Sequence, residues 1–321
     1  MLSPLTLTLL ALKRLTGVGD QRAIQAVASD QGLQLPTHSY SPAPRKRAVG
    51  TSTLIASDPH AYERALRWAE AQHRQHEERG ARIIGYFDED YPHLLRSIPR
   101  APAVLFCMGD LTPLLTRPQL AIVGTRTPSS AGRERAQLAA MIASAHHLGV
   151  ISGLALGIDT CAHQATLERE GYTVAILGHG LDRVYPAPNT QLAEQILESG
   201  GLLLSEQPWG TPLHPSYLVQ RDRLQSGFAD AVFIAESRDG GGALHAGRAA
   251  LSQGRPLLLP HGLRAQLSDP LCQREEVMWI AEQDELQGSI QTIASQIRVQ
   301  GTLALSQTER SARQLSLWEE E

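Results

Sequence analysis

The run Ser152-Gly-Leu-Ala-Leu-Gly-Ile-Asp159 limits the fold of this chain more than any other segment. An apolar stretch, Gly149 to Ile151, leads into it, and a helical stretch, Thr160 to Glu170, leaves it. A strand that breaks into glycines and reopens as a helix leaves backbone N–H groups directed above the sheet. Phosphate or another anion is the usual occupant of that position. Within the run, Asp159 suits a cap for the helix from Thr160, its carboxylate accepting backbone N–H bonds. His163 reads as a core or supporting histidine, not a base.

The same alternation continues on both sides. Gln119–Val123, Tyr172–Leu177, Leu202–Leu204, Asp230–Ala235 and Pro256–Leu259 are short apolar runs. Helical stretches separate them: Ala136–His147, Gln191–Glu198, Ser216–Phe228 and Ala243–Gln253. Strand–helix alternation at this spacing predicts right-handed crossovers and an α/β fold with a doubly wound, mostly parallel, extended Rossmann-like sheet. Ligands of such sheets sit beyond the carboxyl ends of the strands. Gly124, Gly153, Gly178, Gly180 and Gly240-Gly241-Gly242 fall at those ends.

Composition shifts divide the chain into a helical domain over 1–80, the Rossmann-like domain over 81–262 and a polar extension over 263–321. The N-terminal region holds Leu15-Thr-Gly17-Val18-Gly19, half of a helix-hairpin-helix pattern. It suits a DNA phosphate contact or a plain helical packing turn. Pro36 to Ser52, with Arg45-Lys46-Arg47, reads as a linker. Met1–Leu12 lacks a basic start and a small-residue cleavage site and reads as a folded helix, not a signal peptide. No stretch is apolar enough to span a bilayer. Three scattered cysteines form neither a metal spacing nor a disulfide framework, which points to the cytoplasm. The formal net charge of −4 excludes a wholly basic DNA coater, so any nucleic-acid surface is local.

The strand-end segments share one order: Val123-Gly124-Thr125-Arg126, Ser152 to Asp159, Gly178-His179-Gly180 through Tyr185-Pro186, Ser205-Glu206, Arg221-Asp222-Arg223 and Gly240 to His245. Upstream stand Tyr91-Pro92, Leu94-Leu95, Ile98-Pro99 and Pro102 to Phe106 with Gly109. This order resembles the DNA-processing protein A (DprA/Smf) family over residues 85–262. The resemblance implies a dimer that binds single-stranded DNA and presents it to a RecA-type recombinase during recombination, competence and transformation. Carried over by position, the DNA- or phosphate-binding residues are Gly124, Thr125, Arg126, Ser152, Gly153, Gly157, Arg221, Arg223, Gly241 and Gly242. Arginine forks match phosphate oxygens, and glycine permits close approach of a backbone. Glu206 reads as a partner for Arg126 or Arg221. Tyr185-Pro186 fixes a loop or offers a stacking ring.

Three segments depart from the family pattern. Asp222 stands where asparagine is common, so a carboxylate lies between two arginines. Gly241-Gly242-Ala243-Leu244-His245 lacks the usual hydroxyls. Ala187-Pro188 replaces a segment that often carries lysine. Two other classes remain open: a nucleotide-sensing module, as in antiviral defence, and a nucleotide phosphoribohydrolase of the same fold superfamily. The latter follows its glycine run with a catalytic glutamate, whereas His245 and Arg248 follow here. The expectation is a non-enzyme with no cofactor, catalytic residue or metal. Gln314-Leu315-Ser316-Leu317-Trp318 resembles the pentapeptide by which bacterial proteins dock on the DNA polymerase sliding clamp. Leu315, Leu317 and Trp318 suit apolar pockets and Gln314 a directional hydrogen bond. The same apolar residues also suit a patch on the protein's own surface.

Overall fold

The computed structural model describes residues 2–33, 35 and 50–295. The elements in chain order begin with α1 (Pro4–Leu12), α2 (Asp20–Gln31), α3 (Thr51–Ser57) and α4 (Pro59–Glu77). The next are β1 (Ala81–Gly85), α5 (His93–Arg96), β2 (Val104–Gly109), α6 (Thr112–Thr116) and β3 (Gln119–Gly124). After them come α7 (Ser130–Ala145), β4 (Gly149–Ser152), α8 (Ile158–Leu167), β5 (Thr173–Leu177), α9 (Thr190–Glu198) and β6 (Leu202–Ser205). The last are α10 (Pro215–Phe228), β7 (Ala231–Glu236), α11 (Ala243–Ser252), β8 (Leu257–Pro260), β9 (Val277–Ile280) and α12 (residues 283–295).

The nine strands among the described residues form one sheet in the order β1-β2-β6-β5-β4-β3-β7-β8-β9. Only β2 runs against the others, pairing antiparallel with β1 and β6. Central strands read as unbroken apolar runs because helices cover both faces. Alternate residues of β3 divide between the two layers: Leu120 and Ile122 pack with α7, α8 and α12, and Ala121 and Val123 with the opposite core. The chain winds from β3 through β4 and β5 to β6, then returns to β7 on the other side of β3. That reversal opens a crevice at the carboxyl ends of the strands. The pairing of β3 with β7 shifts register between Val123 and Gly124, leaving Ala235 of β7 as the extra residue at this point.

The expected α/β, mostly parallel sheet with N-terminal helices is present. Helix starts are capped where short polar side chains allow: Ser3 accepts from Thr6 N, Asp58 from Ala61 N and Ser129 from Gly132 N. The Gly17-Val18-Gly19 turn packs inward. Val18 is buried, Asp20 accepts from Ala103 N at 2.8 Å and Gln21 donates to Ala101 O at 3.1 Å. Helix α3 begins at Thr51, inside the stretch read as a linker, while residues 36–49 with Arg45-Lys46-Arg47 lie outside the described residues. The sheet also runs past residue 262. Strand β9 pairs with β8, and Leu286 and Ile290 of α12 are buried. Periodicity hid β9 because its four residues sit among charged neighbours. No described helix is long and apolar enough to cross a membrane.

Candidate nucleic-acid interface

The crevice holds a small cleft of about 70 Å³, lined by Arg126, Gly153, Ala155, Leu156, Tyr185, Pro186, Leu218 and Arg221. These residues come from the loops after β3, β4 and β5 and from α10. The volume is well below the roughly 300–1,000 Å³ of pockets that enclose a small ligand. It admits a phosphate group or the edge of a base, with the remainder of the ligand outside. A larger concavity of about 550 Å³ lies beside β1 and carries Glu77, Asp88, Glu89 and Asp90 against Arg82, which pairs with Asp90, so its charge is net negative. That charge repels a polyanion.

Arg221 is the floor of the cleft. It is 6% exposed, with Nη1 3.9 Å from Asp159 and Nε 3.6 Å from Asp222. Oriented by its partners, the Gln225 carboxamide oxygen accepts from Arg221 Nη1 at 2.8 Å and from Gly153 N at 3.0 Å. Arg221 Nε is buried and makes no hydrogen bond among the described residues. Gly153 is required beneath this guanidinium, because a Cβ there would lie 1.2 Å from Nη1. Arg126 stands above, exposed, with no hydrogen bond or ion pair among the described residues. Leu156 and Tyr185 are 44% and 46% exposed at the rim.

The loop from Ser152 to Gly157 is held from within. Asp159 accepts from Gly153 N at 3.0 Å and Ala155 N at 3.3 Å. This corrects the expected cap: α8 begins at Ile158, and the carboxylate binds the loop before the helix, not the first turn. The chain thus supplies its own anion to N–H groups expected to face phosphate. Burial raises the Asp159 pKa, opposed by Arg221 and by those hydrogen bonds. Asn189, which sequence reasoning missed, donates to Leu154 O at 2.8 Å and to Thr160 Oγ1 at 2.9 Å. It secures Leu154 at a φ of 59°. Its position directly before α9 was the available signal.

Ser152, Gly124, Thr125 and Gly157 support the cleft without lining it. Ser152 Oγ donates to Ile122 O at 2.7 Å. Thr125 N donates to Glu236 O, and Thr125 O accepts from Ile158 N. A Cβ on Gly124 would meet Ile158 Cγ1 at 2.4 Å, and one on Gly157 would meet Thr125 O at 2.5 Å. Glu236, also missed, accepts from Ser129 Oγ at 2.6 Å and Ser129 N at 3.2 Å. Its carboxylate occupies the start of α7.

Arg223 turns away from the cleft. It donates to both oxygens of Glu206, at 3.0 and 2.7 Å, so Glu206 pairs with neither Arg126 nor Arg221. Residues two apart on a helix are about 200° apart around its axis, so Arg221 and Arg223 cannot share a face. Lys13 and Asp20 lie beside this second pair. Burial disfavours the Lys13 ammonium, but Asp20 and Glu206 outweigh it and raise its pKa. Gly241 and Gly242 do not line the cleft either: Gly241 N donates to Arg238 O, and Gly242 precedes α11. His245 is exposed beside Arg248. His163 is buried, and its Nδ1 meets Thr173 Oγ1 at 2.7 Å. Thr173 spends its proton on Val150 O, so Nδ1 carries the imidazole hydrogen. Burial, aided by Arg221, lowers the His163 pKa to about 3.

Comparison with known proteins identifies relatives by sequence and by fold. The profile of the DNA recombination-mediator protein A family matches residues 82–297. The DNA processing protein DprA of Bacillus subtilis is 32% identical over 64% of this chain and 70% of its own length. Protein Smf of Escherichia coli is 36% identical over 54% of this chain and 46% of its own length. The chain therefore spans less than half of the Escherichia coli relative. The crystal structure of DprA from Streptococcus pneumoniae superposes with a TM-score of 0.69 at 26% identity, covering 88% of this chain and 97% of that one. DNA processing protein A from Helicobacter pylori, whose structure concerns a single-stranded DNA binding mode, shares the fold at a TM-score of 0.58 and 23% identity, over 65% of this chain and 95% of that one. On the match to residues 82–297, more than half of its length, the chain belongs to the DNA recombination-mediator protein A family.

Proposed function

We propose that the chain binds single-stranded DNA along the carboxyl ends of its central strands. One phosphate sits between Arg126 and Arg221, and an adjacent base rests on Tyr185. The exposed, unpaired Arg126 above the buried Arg221 carries this reading. A planar guanidinium with free donors fits a phosphodiester, and an exposed ring beside it suits a base face. The small open cleft favours a strand passing over the surface more than an enclosed mononucleotide.

The protein acts without catalysis, as a dimer in the cytoplasm, and hands its strand to a recombinase. Family membership supports the recombinase step. Residues 314–318 lie outside the described residues, and their sequence supports docking on the sliding clamp. Anisotropy titration with labelled oligo-dT, beside common mononucleotides, tests the central reading. Saturable oligo-dT binding at low salt supports it. Mononucleotide binding without oligonucleotide binding gives the crevice to a nucleotide sensor instead. Release of free base from a nucleoside monophosphate would make the protein a phosphoribohydrolase.

A further inference from the structure

The cleft contains its own counter-charge. Two carboxylates, Asp159 and Asp222, flank the same buried guanidinium, at 3.9 Å from Nη1 and 3.6 Å from Nε of Arg221. Arg126 adds one more positive charge, so with both carboxylates ionised the formal sum is zero. A phosphodiester entering here meets two fixed negative charges beside the arginine that should hold it. Asp159 is committed to the loop through Gly153 N and Ala155 N. Asp222 has no comparable duty. Among the described residues its side chain accepts no hydrogen bond; it approaches Arg221 Nε at 3.6 Å as an ion pair and keeps 17% of its surface exposed. The Arg221 Nε that it faces is buried and, among the described residues, without a hydrogen bond.

We propose that Asp222 is the residue that sets phosphate affinity in this cleft, competing with the ligand as a carboxylate and admitting it on taking up a proton. This rests on the single-strand reading above.

Burial raises the Asp222 pKa to about 6, with Arg221 and Arg126 opposing and Asp159 adding to the rise. Those three are the charges that shift it most among the described residues. The neighbouring α11 carries His245 and Arg248, and Arg248 pairs with Asp269. The neighbouring α5 carries His93 and Arg96. A bound phosphate is a further negative charge and draws Arg221 toward itself, so it raises the Asp222 pKa again. Binding and protonation then reinforce each other. Below pH 6 the carboxyl is neutral in both states and affinity is flat. Above pH 6 the free protein has lost a proton that the complex retains, so affinity falls by up to tenfold per pH unit until the bound-state pKa is reached.

Anisotropy titration of oligo-dT from pH 5.5 to 8.5 at constant low ionic strength tests this on the full chain and on Asp222→Asn. Circular dichroism confirms that both remain folded. Asp230, also raised to about 6 by burial, lies at the opposite end of the strands, and Asp230→Asn is the control. The expected result is a dissociation constant that rises several-fold per pH unit above 6 in the parent and in Asp230→Asn. Asp222→Asn is expected to be flat and about tenfold or more tighter at pH 8. A parent without pH dependence, or Asp222→Asn with the parental slope, overturns the inference and leaves single-strand binding in place. Absence of binding in all three proteins at every pH overturns both.

Discussion

Gly153 and Arg221 share one space: a Cβ on the glycine would fall 1.2 Å from the arginine Nη1. The guanidinium lies across the loop because no side chain is present there. Gly153→Ala should therefore move Arg221 and little else. The expected outcome is a five- to tenfold loss of oligo-dT affinity. Overpacking a buried site typically costs about 1–3 kcal/mol of stability. Anisotropy and urea denaturation read the two effects separately. Unaltered affinity would remove Arg221 from the ligand site.

Arg126 and Arg221 should behave alike toward DNA, and Arg223 differently. Each of Arg126→Ala and Arg221→Ala removes one phosphate contact. The slope of log affinity against log salt should flatten by about 0.7 for each, the value for single strands. Arg223→Ala leaves the buried Glu206 without its partner. Stability should fall by roughly 3–5 kcal/mol, the range for breaking a buried pair from one side. Its salt slope should match the parent. A flattened slope in folded Arg223→Ala would return that residue to the interface.

His163 should make the fold acid-sensitive. Its pKa in the folded protein is about 3, against 6.5 when exposed. The unfolded chain therefore binds the extra proton between those values. The contribution is fully present above pH 6.5 and is lost as pH falls toward 3. Across that window the slope attributable to this group approaches about 1.4 kcal/mol per pH unit. Asp222 and Asp230 act in the opposite sense, because their raised values favour protonation in the folded state. Urea midpoints from pH 4 to 7 should rise less steeply in His163→Asn than in the parent. Parallel profiles would mean that His163 does not stay neutral.

The terminal segment gives a separate test. Deleting the last ten residues should abolish capture by purified sliding clamp and leave oligo-dT affinity unchanged. Equal capture with and without them would dispose of clamp docking through Gln314, Leu315, Leu317 and Trp318.

The alternation of apolar runs with helical stretches was enough to specify a doubly wound sheet, because central parallel strands must be apolar on both faces. The glycines at strand ends marked the end of the sheet at which ligands of such folds sit, although of them only Gly153 lines the cleft. Helix geometry could also have separated Arg221 from Arg223, since both fall within the predicted helix Ser216–Phe228 and residues two apart face opposite ways. Other features were beyond reach of any local pattern. The pairing of Arg223 with Glu206 joins α10 to the segment after β6. The turn of Asp159 back onto Gly153 and Ala155 depends on how a loop closes in space. Strand β9 lies at the edge of the sheet, and nothing in its own four residues names β8 as its partner. Sequence alone thus determined the layers and where their ends meet, because burial acts through periodicity. Only the tertiary structure decided which charges are spent within the protein and which face outward, because an ion pair depends on distance, and distance across a fold is written in no single segment.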